Sequence, residues 1–180
     1  MLGGEPGLTP TEKGSAVHAL MQFIDFGKCT DAAAVRREIA RLLLAGHLTP
    51  AQASAADPEM ILGFFRSAVG RRVLSADQVW RELRFSLLTG AEEFYDVPPG
   101  ERVLLQGVVD CCFREGDTLT VVDYKTDFVT QDTLEEKGRL YAPQLRAYAE
   151  AMERVLGLPV KECVVYFLRT GMTWREKRMQ

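Results

Sequence analysis

The chain has 180 residues, enough for one domain with a sizeable core, and its 47% apolar and 26% charged residues are the mix of an ordinary folded protein. That mix excludes global disorder, and no apolar run approaches the ~18 residues of a membrane span. Against 25 Asp and Glu stand 22 Lys and Arg, a formal net charge of −3 that argues against a generally basic, nucleic-acid-coating surface.

Thr9, Pro10 and Glu12 form a capping box with proline at the first helical position. The helix it opens carries Val17, Leu20, Met21 and Ile24 on one stripe and is expected to end near Gly27. A second helix spans 31–45, with Val35, Ile39, Leu42 and Leu43 as its stripe and Gly46 as its stop. Thr49, Pro50 and Gln52 repeat the cap, and Asp57-Pro58 opens a further helix through Phe64, Phe65 and Val69. His47 reads as a helix-end residue. From 79 the pattern changes: 79–88 reads as a strand, and 102–114 and 118–126 are β-branched runs joined by Glu115-Gly116-Asp117, a hairpin signal. A helix at 140–156, with Leu145, Tyr148, Met152 and Val155 as its stripe, is stopped by Gly157 and Pro159, and 160–168 is a last buried strand. Helices, three strands, a helix and a strand define an α/β fold with a mixed sheet, read as one domain over 1–180 whose first 75 residues are mainly helical.

Four cysteines, at 29, 111, 112 and 163, lack any C-x-x-C spacing and read as buried reduced thiols of a cytoplasmic protein. The N-terminus, MLGGEPGLTP, is no secretory signal. It reads as a cut in the loop before a helix, so a fragment of a longer protein is expected.

The hairpin carries the chemistry. A two-residue turn at Gly116-Asp117 sets Glu115 against Thr118, Phe113 against Thr120 and Asp110 directly opposite Asp123. Opposed Cβ atoms lie roughly 4.5–5.5 Å apart, where like charges repel. Alternation places Lys125 on the face of Asp123. The Val108-Val109 and Val121-Val122 flanks read as buried on both sides. Buried charges are costly unless paired or bound to a cation, and a divalent cation between the aspartates satisfies both. Carboxylate oxygens suit Mg²⁺ or Mn²⁺ rather than zinc or copper. A lysine beside them can orient the attacking water and stabilise charge growing on a phosphate, so the reaction class implied is metal-assisted phosphodiester hydrolysis. An acidic residue two before a lysine recurs at Glu135 and Lys137, where a solvated surface is expected. The opposed Asp110 and the apolar flanks therefore carry more weight than the spacing.

Gly14-Ser15-Ala16-Val17-His18 resembles a G-x-x-x-H helix motif, and Gly107-Val108-Val109-Asp110 a strand supplying a first aspartate. Val121 to Asp127 resembles a D-Y-K-T-D strand, and Gln144 to Tyr148 a Q-x-x-x-Y helix motif. Together, and in this order, they resemble the PD-(D/E)xK nuclease superfamily and within it the RecB-like branch. The runs 11–18 and 166–171 are similar to the C-terminal nuclease domain of a bacterial helicase–nuclease. Val109 stands where the superfamily often has proline, as is common in this branch.

The resemblance implies a restriction-endonuclease-like core and a Mg²⁺-dependent DNA exonuclease (Mn²⁺ as the alternative ion). Its substrate would be unwound single-stranded DNA, its product a 5′-phosphate, and its setting double-strand-break repair by homologous recombination. In that branch the site is associated with the 3′-terminated strand. By the same resemblance Asp110, Asp123, His18 and the backbone carbonyl of Tyr124 are metal ligands, Lys125 positions or activates water, and Gln144 and Tyr148 join the site. Glu82 resembles an auxiliary acidic position, and reads equally well as an edge-strand charge. The implied partners are DNA, the helicase part of the same parent chain and a second protein of the same complex. No iron–sulfur cluster is expected, because the cysteines lack its spacing, and no ATP-binding glycine-rich loop is present. Two rival readings stay open: a non-catalytic nuclease-like module for DNA binding or assembly, and a free-standing nuclease. The basic stretch Arg66, Arg71, Arg72, Arg81 and Arg84 reads as phosphate contacts, as solvated helix ends, or as a docking surface.

Overall fold

The computed structural model describes residues 9–93, 96 and 98–177. The loop read at 1–8 lies outside them. The chain forms two compact units, Met1–Leu74 and Ser75–Gln180.

The first unit is helical. Helix α1 (Pro10–Phe23) starts on the expected box, in which the Glu12 N–H donates to Thr9 Oγ1 (3.3 Å) and the Thr9 N–H to the Glu12 carboxylate (2.7 Å). It stops at Phe23 rather than near Gly27, because Ile24 is extended and Asp25 caps a 3₁₀ turn at Phe26–Lys28, accepting from the Gly27 N–H at 3.1 Å. Helix α2 (Ala32–Leu44) is capped by Asp31 and buries Val35, Ile39 and Leu42. Its Glu38 is a buried carboxylate that accepts from Arg41 (2.7 Å) and from the Asp25 N–H (3.1 Å). His47, just past this helix, stacks on Phe23 with ring centroids 4.2 Å apart. Helix α3 (Pro50–Ala55) carries the second box, between Thr49 and Gln52.

The single helix expected after Asp57 is two, α4 (Pro58–Arg66) and α5 (Ala68–Ser75). Ser67 between them is extended; its hydroxyl donates to the Phe64 carbonyl (2.6 Å) and accepts from the Gly70 N–H (3.0 Å). Gly70 permits the tight corner, since a Cβ there would stand 1.9 Å from the Phe64 oxygen.

The second unit is a mixed five-stranded sheet, ordered β1 (Gln78–Gly90), β2 (Arg102–Glu115), β3 (Thr118–Lys125), β4 (Val160–Phe167), β5 (Met172–Lys177). β3 and β4 are parallel, joined by helix α6 (Leu134–Leu156), and the other neighbours are antiparallel. The fold is therefore α/β, of the restriction-endonuclease-like kind. β5 is an addition to the expected strands: after Phe167 the chain reverses through Gly171 (φ +69°) and pairs back on β4.

α6 begins at Leu134, earlier than expected, and lies against the sheet with Leu145, Ala149 and Met152 buried. Its apolar stripe continues to Leu156 rather than Val155, which is 48% exposed; the 3.6-residue period carries Val155 off the stripe. All four cysteines are free and buried. Among the described residues, no helix is long and apolar enough to cross a membrane.

Candidate active site

The hairpin sets the first half of the site. Gly116, with φ +61°, makes the first central position of the turn, and the ladder runs from Glu115↔Thr118 to Cys111↔Val122. This register brings Asp110 and Asp123 to facing positions, as expected, but they are not a ladder pair. Instead Asp110 Oδ2 accepts the Tyr124 N–H at 2.8 Å, and Asp123 Oδ2 pairs with Lys125 Nζ at 2.7 Å. Two carboxylates face to face repel, and here each has a positive partner of its own. Both are nearly enclosed, Asp110 at 8% exposure and Asp123 at 1%.

On the other side of β2 the pairing with β1 runs through Arg81↔Cys111 and resumes at Leu83↔Val109. Glu82, skipped by the ladder, has φ +50°, and it is the one described non-glycine residue with positive φ. Its side-chain carboxylate lies within 4.8 Å of that of Asp110. The strands change face at this point: Trp80 and Leu83, three apart, both pack into the core beneath α6, as do Cys112 and Val109. A left-handed conformation costs a non-glycine residue on the order of 1–2 kcal/mol, and such strain gathers at functional sites.

Helix α6 supplies the second half. Lys125 Nζ donates to Gln144 Oε1 (3.2 Å), and Gln144 Nε2 donates to the Tyr148 hydroxyl (2.6 Å). Tyr148 stands edge-on to Phe85, with centroids 5.9 Å apart. Gly107 makes room for both rings, since a Cβ there would meet Phe85 at 2.9 Å and Tyr148 at 3.3 Å. The Tyr148 phenol is pushed up to about 12, first by burial and then by the charge of Asp123, with Asp110 and Glu82 adding to it. One hydroxyl thus feels all three carboxylates.

Asp110, Asp123, Lys125, Gln144, Tyr148 and Glu82 therefore meet at one place in the second unit. Tyr124 contributes its amide there, while its buried phenol bonds the Cys111 thiol and is held well above its ordinary value by burial. His18 lies half-buried on α1, in the first unit. The basic stretch is spread over α4 (Arg66), α5 (Arg71, Arg72) and β1 (Arg81, Arg84), with Arg66, Arg71 and Arg84 exposed.

Two further residues join the cluster. The Tyr141 ring lies 4.5 Å from Lys125 Nζ, and its hydroxyl donates to Asp127 Oδ2 at 2.9 Å. Tyr141 precedes Gln144 by three and Tyr148 by seven, so helical spacing alone marks it as sharing their stripe.

Three carboxylates against one lysine leave an excess of negative charge in a largely enclosed place. An all-oxygen set of this kind fits a hard divalent cation, because coordination replaces repulsion with attraction.

A mixed sheet, an acidic pair and lysine on adjacent strands, and a glutamine–tyrosine helix are the architecture of a metal-dependent phosphodiesterase. The profile of the PD-(D/E)XK nuclease superfamily matches residues 3–179, and the chain belongs to that superfamily. It is 43% identical over 172 residues to AddA of Desulforamulus reducens, the first component of an ATP-dependent helicase/nuclease, covering 93% of this chain and 14% of that protein. The proteins of the same name from Pelotomaculum thermopropionicum (44% identity) and Clostridium acetobutylicum (36%) match 94% and 92% of the chain and likewise 14% of their own length. The chain is thus homologous to the nuclease region of AddA and spans about one-seventh of the relatives it matches.

Proposed function

We propose that the chain is a divalent-metal-dependent deoxyribonuclease, the exonuclease part of an AddA-like helicase–nuclease acting in double-strand-break repair by homologous recombination. Its substrate is single-stranded DNA after unwinding. The helicase part of the parent chain delivers that strand, an AddB-like protein is the partner, and the setting is the cytoplasm. The whole chain serves as a single RecB-like nuclease domain, with 1–75 as its helical part and 76–180 as its catalytic part. The observation that carries this reading is the placement of Lys125 Nζ between Asp123 Oδ2 and Gln144 Oε1, beside Asp110.

In this reading Asp110 and Asp123 hold Mg²⁺, or Mn²⁺, with Glu82, His18 and the Tyr124 carbonyl as further ligands. The bound cation would supply Lewis acidity, which lowers the pKa of water and offsets charge on the phosphate. Lys125 orients the attacking water for in-line displacement and stabilises the charge growing on the phosphoryl oxygens. Gln144 fixes the lysine's position, and Tyr148 fixes the glutamine. With a phenol pushed up to about 12, Tyr148 keeps its proton and acts as a hydrogen-bonding group at working pH. Cleavage leaves a 5′-phosphate.

The test is degradation of end-labelled single-stranded DNA by the 180-residue chain. Degradation is expected with Mg²⁺ or Mn²⁺ and absent in EDTA. Asp123→Ala and Lys125→Ala are each expected to slow it by about 100-fold or more. Wild-type rates in either variant, or undiminished cleavage in EDTA, would contradict the reading.

A further inference from the structure

The segment following β3 presents an aromatic ring that the catalytic cluster does not use. Phe128 is 62% exposed, while the next residue, Val129, is buried at 1%. The backbone on both sides of the ring is fastened. Asp127 accepts from the Tyr141 hydroxyl at 2.9 Å, and the Thr130 N–H donates to Thr133 Oγ1 at 2.9 Å. The ring is therefore held out on a fixed segment.

Arg169 sits over one face of this ring, its guanidinium carbon 5.7 Å from the centroid. It leaves the end of β4 just as Phe128 follows the end of β3, and these parallel strands run side by side to Lys125↔Phe167. The Leu168 N–H donates to the Lys125 carbonyl at 2.9 Å, which fastens the arginine's turn to the residue that carries the candidate catalytic amine. Three residues separate Phe128 from Lys125, a reach of roughly 10–11 Å at most. Ligands of parallel strand pairs gather at these carboxyl ends.

We infer that Phe128 and Arg169 form a stacking platform that holds an unpaired base of single-stranded DNA next to the hydrolytic site, an inference that rests on the nuclease reading for the identity of its ligand. A fixed, exposed ring with a cation on one face offers its other face to a base, and the guanidinium reaches the adjoining phosphate. Duplex bases are already stacked on one another, so the platform selects a single strand. Stacking is indifferent to base identity, as a processive degradative enzyme requires.

The test is binding of a fluorescein-labelled oligothymidine to the full chain, read by anisotropy in EDTA so that no hydrolysis intervenes. Phe128→Ala is expected to weaken binding about tenfold. Phe128→Trp should restore it, Arg169→Ala should weaken it, and the exposed-surface control Leu44→Ala should leave it unchanged. Far-UV circular dichroism checks that each variant is folded. Binding by Phe128→Ala within about twofold of wild type overturns the inference, as do a tryptophan variant as weak as alanine and a wild type that binds no oligothymidine. Cleavage in Mn²⁺ is measured separately. A chain that binds through Phe128 yet cleaves nothing supports the platform while overturning the nuclease reading.

Discussion

Lys125 is restrained from three directions, by the Asp123 carboxylate, the Gln144 carbonyl oxygen and the Tyr141 ring. An ammonium held this closely has lost most of the rotamer freedom that an exposed lysine keeps, which is what a positioning group needs. The chain of contacts ranks the neighbours. Gln144→Leu removes both the acceptor for the lysine and the donor to Tyr148, whereas Tyr148→Phe removes only the far end. Steady-state rates of single-strand cleavage should therefore fall in the order Gln144→Leu below Tyr148→Phe below wild type, with Gln144→Leu down about tenfold or more. The pH dependence has a definite sign. The Tyr148 phenol is raised to about 12, so it stays protonated across the neutral and mildly alkaline range. The pH–rate profiles of wild type and Tyr148→Phe should then have the same shape up to about pH 10. A limb at lower pH that disappears in the phenylalanine variant would show that tyrosine ionisation matters.

At the scale of elements, β1 holds a strained residue and α4–α5 a crowded corner, and each has a measurable consequence. Glu82, at φ +50°, places a carboxylate near that of Asp110. Glu82→Gly relieves both the backbone strain and the charge repulsion, so the metal-free protein should melt higher, by about 4 °C, while cleavage falls. A lower Tm in the glycine variant would show that the conformation is not strained. Gly70→Ala works in the opposite direction: its Cβ would fall 1.9 Å from a backbone oxygen, which cannot rotate away. A loss of about 2 kcal/mol or more is expected in denaturant unfolding followed by helical circular dichroism. Most elements were legible from caps and periodicity, because Thr9, Thr49 and Asp31 bond the backbone locally. The α4–α5 break was not, since it depends on how closely Gly70 approaches Phe64. β5 was missed because an edge strand needs only its neighbour's free ladder, and that is a tertiary fact. The hairpin register and the stripe shared by Gln144 and Tyr148 followed from the periods of strand and helix. Strain at Glu82 and the separate partners of the two aspartates exist only once three strands are assembled.

For the molecule as a whole, buried thiols set an alkaline limit. Cys29 and Cys111 are each pushed up to about 12, chiefly by burial, from an ordinary value of 9.0, and Cys112 is raised as well. The native chain keeps these protons where the unfolded chain loses them. Their contribution is complete below about pH 9 and declines as pH rises beyond it. Tm should fall between about pH 9 and 11 and fall less in Cys29→Ala Cys112→Ala, unless those thiols are accessible in the native state. The formal charge of −3 gave no sign of a nucleic-acid partner, yet part of that acidity lies at one enclosed place where bound divalent cations would offset it. The central claim is that Asp110 and Asp123 bind such a cation. Calorimetric titration of the full chain with Mn²⁺ tests it directly. The account predicts binding by wild type and affinity weakened about tenfold or more in both Asp110→Asn and Asp123→Asn; no binding by wild type, or equal affinity in the asparagine variants, would contradict it.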